Sequence, residues 1–158
     1  MKILILDRQG VERLSAEPFK KETAIISITD YDCPLANLKY KPSYLLRLVF
    51  DDVPIGKDLE EDFCRELSEA EIKILENQFH SMSNSQTDDI VSFYKEIENK
   101  VELLICQCEH GQSRSAAIAA AFLEYSNKSG IEIFADNRYC PNKSIFRKIL
   151  KKLNENNN

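Results

Sequence analysis

The chain has 158 residues, enough for one domain with a real core and too few for two comfortable ones. A hydrophobic content of 43% with 30% charged residues is that of a soluble globular protein, and the net charge of −5 excludes a general attraction for nucleic acid or anionic membrane. No apolar run approaches membrane-spanning length and the opening Met1-Lys2-Ile3-Leu4-Ile5-Leu6-Asp7 is too short for a signal peptide; with five cysteines lacking framework spacing, a reducing, cytoplasmic location is expected.

Residues 2–6 read as a first strand and residues 9–16 as a short helix stopped by Pro18. Residues 23–28 are a second β-rich run, leading through Ser27, Thr29, Asp30 and Asp32 into a polar turn. An irregular loop punctuated by Pro34 and Pro42 precedes a third strand, YLLRLVF, over 44–50, which ends in Asp51-Asp52-Val53-Pro54. Ser68 and Glu71 form a capping-box pattern that opens an amphipathic helix to about Phe79. A polar turn over 81–86 separates it from a helix starting near Thr87, with Ile90, Val91, Phe93, Tyr94 and Ile97 inward.

The stretch 101–125 organises the rest. Its apolar opening, 101–106, has the length and composition of a buried strand; a polar loop with Cys108 and Gly111 follows, then an alanine-rich helix from Arg114. Strand, tight loop and helix N-terminus together build an anion site, because free N–H groups and the helix dipole favour negative charge there. Cys108 stands where that field stabilises a thiolate. Arg114 brings a planar fork suited to two phosphate oxygens. The helix is expected to stop at a glycine within 127–130, and Pro141-Asn142-Lys143-Ser144 to start a last helix over 145–153, with Asn142 as cap. Strands alternating with helices predict a single α/β domain over 1–153 with a mostly parallel central sheet flanked by helices, and a disordered tail over 154–158. Ligands in such sheets bind beyond the carboxyl ends of the strands, where Cys108 and the Asp51-Asp52 pair both fall.

Cys108-Glu109-His110-Gly111-Gln112-Ser113-Arg114-Ser115 reads C-x5-R-S with glycine three after the cysteine. It resembles the signature loop of the cysteine-dependent protein tyrosine phosphatases, and SRSAAIAAAFL resembles their compact dual-specificity branch in its small bacterial and phage forms. The resemblance implies a protein tyrosine phosphatase-like fold and hydrolysis of phosphorylated protein side chains without cofactor or metal. Loop residues Glu109, His110, Gly111, Gln112, Ser113 and Arg114 then cradle the phosphate, Cys108 is the nucleophile and Ser115 helps it leave as a thiolate. The general acid is an aspartate in a loop after an upstream strand. LRLVFDDV fits, with Asp52 preferred to Asp51, and Asp30 or Asp32 as alternatives if the added segment 59–79 displaces that loop.

The family usually places histidine before the cysteine. Gln107 stands there instead; it can donate hydrogen bonds to loop carbonyls but carries no charge, which implies a less acidified thiol. His110 reads as a surface residue or substrate contact. Cys106 is expected to point into the core, with a resolving-cysteine role as the alternative; Cys33, Cys64 and Cys140 read as incidental. Two rival functions follow from the same residues. One is a module that holds phosphate without turnover, favoured by Gln107. The other is an enzyme acting on RNA 5′ phosphates, inositol phosphates or arsenate, against which the acidic balance argues for the polyanions.

Overall fold

The second strand has no exposed residue, and the fold is laid around it. β2 (Thr23–Thr29), TAIISIT, is buried at every position, as suits a β-branched run covered on both faces. In the computed structural model, which describes residues 1–155, β2 pairs with β3 (Tyr44–Val49) on one side and β4 (Leu103–Gln107) on the other. β1 (Lys2–Leu6) adds outside β4, giving four strands in the order β1-β4-β2-β3, all pairings parallel. This is the expected α/β architecture.

Side chains alternate across the sheet and sort into two cores. Ala24, Ile26, Ile28, Leu104 and Cys106 face α4 (Asn84–Ile97), α5 (Arg114–Asn127) and α7 (Lys143–Glu155). Ile25 and Ile105 face the other way, against Val11 of α1 (Arg8–Leu14) and Ala36 of the β2–β3 connection. Phe122 of α5 is fully buried, its ring 4.1 Å from that of Tyr94 on α4; burial of such a side chain contributes roughly 1.5–3 kcal/mol. The remaining helices, α2 (Leu59–Phe63), α3 (Glu69–Gln78) and α6 (Ile131–Ala135), are peripheral. No helix among the described residues is long and apolar enough to cross a membrane.

Several boundaries differ from the sequence reading for local reasons. α4 starts at Asn84, not near Thr87, because Ser83 and Gln86 form a second capping box: Ser83 Oγ accepts from Gln86 N at 3.1 Å and Gln86 Oε1 from Ser83 N at 2.9 Å. β4 begins at Leu103, since Val101 N is still bonded to Ile97 O at the end of α4. α5 ends at Lys128 in the left-handed conformation (φ 60°), not at a glycine. Gly130 serves close approach instead, as a Cβ there would lie 2.5 Å from Ala120 O. α6 had no clear signal. α7 runs to Glu155, so the first two residues of the expected tail are helical, while 156–158 lie outside the described residues.

Candidate active site

The loop between β4 and α5 is clamped from below by the end of β1. Gly111 has φ +65°, and a Cβ on it would stand 2.6 Å from Asp7 N and 2.7 Å from Leu6 C. Only glycine combines that backbone angle with that approach. Arg8, at the start of α1, donates its backbone N–H to Glu109 O (3.2 Å) and its Nε to Glu109 Oε2 (2.7 Å). On the far side Cys140 N donates to Gln112 O (3.0 Å) and Asn142 N to Ser113 O (3.4 Å). The loop is therefore fixed at both ends.

Its own donors are left over. Among the described residues, no backbone N–H from Glu109 to Arg114 donates to another group. Ser113, in the N-cap position of the 14-residue α5, makes no capping bond; its Oγ donates to Asp52 Oδ1 at 2.9 Å instead. A run of free amides at the N-terminus of a long helix is a site for an anion.

Cys108 and Arg114 sit beneath and beside these donors. Cys108 is 2% exposed, its Sγ 3.1 Å from Ser115 Oγ in the first turn of α5, close enough for the hydroxyl to donate to a thiolate. Arg114 is 3% exposed. Its Nη1 donates to Phe50 O at 2.7 Å and lies 2.5 Å from Asp30 Oδ1. A buried guanidinium without such a partner is strongly unfavourable, so Asp30, just past the end of β2, sets where the fork lies. Arg114 Nε has no partner among the described residues.

The four aspartates divide by contact. Asp52 is exposed and reaches the loop, accepting from Ser113 Oγ and from Asn142 Nδ2 (3.0 Å). Asn142 also donates to Val53 O and caps α7, its Oδ1 accepting from Ile145 N at 3.2 Å. Asp51 turns away: Oδ1 accepts from Tyr31 N at 2.9 Å and Oδ2 lies 3.4 Å from His80 Nδ1. Asp30 is engaged with Arg114, and Asp32 is exposed. His110 is exposed on the loop.

Gln107 departs from the expectation drawn for it. It is fully buried and its Oε1 accepts from Ser27 Oγ on β2 at 2.6 Å, while Nε2 has no partner among the described residues. Odd-numbered positions of β4 face the α1 side, so the amide turns to the neighbouring strand, not to the loop carbonyls. Cys106 lies in the helical-side core, as expected; burial, with Cys108 nearby adding to it, pushes its thiol up. Sequence reasoning missed the roles of Asp30, Arg8 and His80. The first had a signal, a carboxylate at a strand end on the ligand-binding edge; the other two had none, because their partners lie far away in sequence.

No protein-family model matches the chain, and no curated protein matches it in sequence. Solved structures do match. Tk-PTP in its active form is 15% identical, with 97% of this chain and 90% of that one covered at a TM-score of 0.54. PTPMT1 in complex with PI(5)P is 14% identical, with 98% and 91% covered at a TM-score of 0.55. Human DUSP28 is 14% identical, with 99% and 90% covered at 0.55. The chain thus shares the fold of these solved structures, a parallel sheet flanked by helices.

Proposed function

We propose that the protein is a cysteine-dependent phosphatase that hydrolyses phosphorylated protein side chains, phosphotyrosine and phosphoserine or phosphothreonine, through a phosphocysteine intermediate. One observation carries this reading: Cys108 Sγ lies 3.1 Å from Ser115 Oγ at the base of a loop whose free amides are flanked by the anchored Arg114. A phosphate monoester held by those amides and by the free edge of the Arg114 fork lies over the sulfur. The thiolate attacks phosphorus in line, the P–O bond to the leaving group breaks, and Asp52 protonates the departing oxygen. Asp52, now a carboxylate, takes a proton from the water that hydrolyses the S–P bond. Cys108 leaves as a thiolate that accepts a hydrogen bond from Ser115. Loop amides, helix dipole and guanidinium stabilise the charge on the equatorial oxygens.

A second reading, a domain that holds phosphate without turnover, has its own support: Gln107 provides no charge beside the thiol and points to Ser27. Hydrolysis of p-nitrophenyl phosphate with chelator present separates the two. Turnover should fall at least roughly a thousandfold in Cys108→Ser. Asp52→Asn should lose roughly 10²- to 10⁴-fold, most with poor leaving groups. A wild type as inert as Cys108→Ser, yet binding vanadate through Arg114, sinks the enzyme and leaves the phosphate reader.

A further inference from the structure

We infer that the open edge of β1 pairs antiparallel with β1 of a second copy of this chain, joining the two sheets across a two-fold axis at Leu4. The backbone decides which groups that edge offers. Lys2 N donates to Glu102 O at 2.8 Å and Cys108 N to Leu6 O at 3.4 Å, so the even-numbered residues of β1 turn their N–H and C=O towards β4. Those of Ile3 and Ile5 point the other way, and among the described residues nothing pairs with them. A row of unpaired backbone donors and acceptors on an apolar strand is a template for another strand.

The two edges of the sheet are finished differently. At β3, Phe50 N donates to Thr29 O, which leaves Val49 O pointing outward, and Gln86 Nε2 closes it with a bond of 2.8 Å. Arg47 also sets a charge within that strand. β1, KILIL, has four apolar residues in succession, each partly exposed, with its one charge at the first position and neither proline nor glycine. An edge left in that form is open to pairing.

The strand fits itself. About an axis at Leu4, antiparallel pairing sets Ile3 opposite Ile5 of the other copy, where the two residues exchange both their bonds, and the axis repeats the pair. All the outward groups of β1 are then used. Sliding by one residue sets outward groups against inward ones, and sliding by two carries part of the pairing past the strand's ends. Ile3 and Ile5 pack on the helical-side core, and Ile3 borders an open concavity of about 350 Å³ lined also by Met1, Tyr94, Leu123 and Asn127. Ile5 of the other copy enters beside Ile3. Lys2 falls opposite Leu6 and one residue from Asp7 of the other copy, while the two Lys2 residues stay at opposite ends, so charge supports this register. The paired strands run in opposite directions, and the two Cys108 loops open at opposite ends of the joined sheet. Five residues a side with a flanking concavity bury less than the roughly 1,200–2,000 Å² of a standard interface, which sets the dissociation constant on the order of ten micromolar.

Sedimentation velocity and amide hydrogen exchange read by NMR, on the whole chain from about 1 to 300 μM, provide the test. As the chain passes from monomer to dimer, the Ile3 and Ile5 amides should slow at least about tenfold, while Leu4 and Leu6, already bonded to β4, should exchange slowly throughout. A chain that stays monomeric overturns the pairing, as does a dimer whose Ile3 and Ile5 amides exchange no more slowly. Ile3→Pro removes an outward N–H and no bond to β4, so it should weaken the dimer at least about tenfold, with a melt at low concentration confirming a folded monomer. An unchanged dimer in that variant also overturns the pairing. Cross-linking reads the register, with the exposed Cys33, Cys64 and Cys140 changed to serine. Leu4→Cys should give a disulfide-linked dimer under mild oxidation and Lys2→Cys should not, because only the axial pair brings two Cβ atoms within reach of a disulfide. Equal cross-linking at the two positions, or none at Leu4→Cys, overturns the axis at Leu4.

Discussion

The loop 108–114 and the segment 56–79 are held together in opposite ways. Most constraints on the loop come from far along the chain: Leu6, Asp7 and Arg8 beneath it, Asp30 and Phe50 on Arg114, Cys140 and Asn142 on the far side. The segment 56–79 is secured mostly by its neighbours. Ser68 and Glu71 cap α3, Arg65 Nη2 reaches Glu71 Oε1 at 2.9 Å, Glu60 Oε1 accepts from Leu67 N, and Cys64 turns the chain in the left-handed region. It buries Leu59 and Leu67, and α3 itself has no buried residue. Its ties to the body are few, chiefly Asp58 to Ser144 and Arg147 on α7. The proposed anion site, which would have to hold its ligand to within fractions of an ångström, rests on the sheet edge, which deforms least. A segment resting on caps and two leucines can be lengthened or altered without disturbing that edge.

The largest break in this contrast should come from Gly111→Ala. The new methyl meets backbone atoms at 2.6 and 2.7 Å, and the residue must keep φ +65°. Left-handed strain together with overpacking amounts to about 2–5 kcal/mol. That corresponds to a melting temperature lower by roughly 5–15 °C. Vanadate binding should disappear with it, because the loop cannot hold its shape once the floor is pushed away. A variant with wild-type melting and wild-type vanadate affinity would show that β1 does not define the loop.

A smaller effect is expected at Asp30→Asn, which keeps the shape and removes the charge opposite Arg114. Asp30 is partly exposed, so solvent screens part of the loss. Vanadate or phosphate should bind about tenfold more weakly as the fork loses its fixed orientation. The same fold-change should appear in KM more than in the rate of Cys108 alkylation by iodoacetamide. Tighter phosphate binding in Asp30→Asn would mean that Asp30 competes for the arginine and does not position it.

The same contrast explains what the sequence disclosed. The loop was legible because its chemistry is written in consecutive residues: the apolar strand, Cys108, Gly111, Arg114 and the alanine-rich helix. The Ser68 box was legible for the same reason, and the Ser83–Gln86 box carries the same pattern but was read as a turn. The strands of the parallel sheet announced themselves as short apolar runs, β-branched in β2 and leucine-rich in the others, though their order follows from no local signal. What stayed hidden depends on register and crossover. Ser27 meets Gln107 because β2 and β4 pair in that register, and Tyr31 meets His80 across 49 residues of chain. Gln107 fell just past a strand expected to end at Cys106, where its amide could donate to loop carbonyls, whereas β4 includes it and turns it towards Ser27.

The smallest effect is expected in the capping box of α3, and its pH dependence sharpens the contrast best. Arg65 first, then the Ser68 backbone and hydroxyl, hold the Glu71 carboxyl down at about 2, against about 4.3 in an unfolded chain. A depressed carboxylate supports the fold fully above its unfolded value and loses that support as pH falls from there towards about 2. Ser68→Ala should cost about 1 kcal/mol near neutrality, while Glu71→Gln should melt lower than wild type at pH 7 and approach it as pH drops below 4. Turnover at pH 7 should stay within about twofold of wild type in both, since the box contacts no residue of the loop and no helix of the core. A melting difference that persists unchanged into acid would remove Glu71 ionisation from the account. A parallel loss of turnover would mean that α3 is coupled to the Asp51-Asp52 loop, through the Glu76 carboxylate on Gly56 N, and that the two regions act as one.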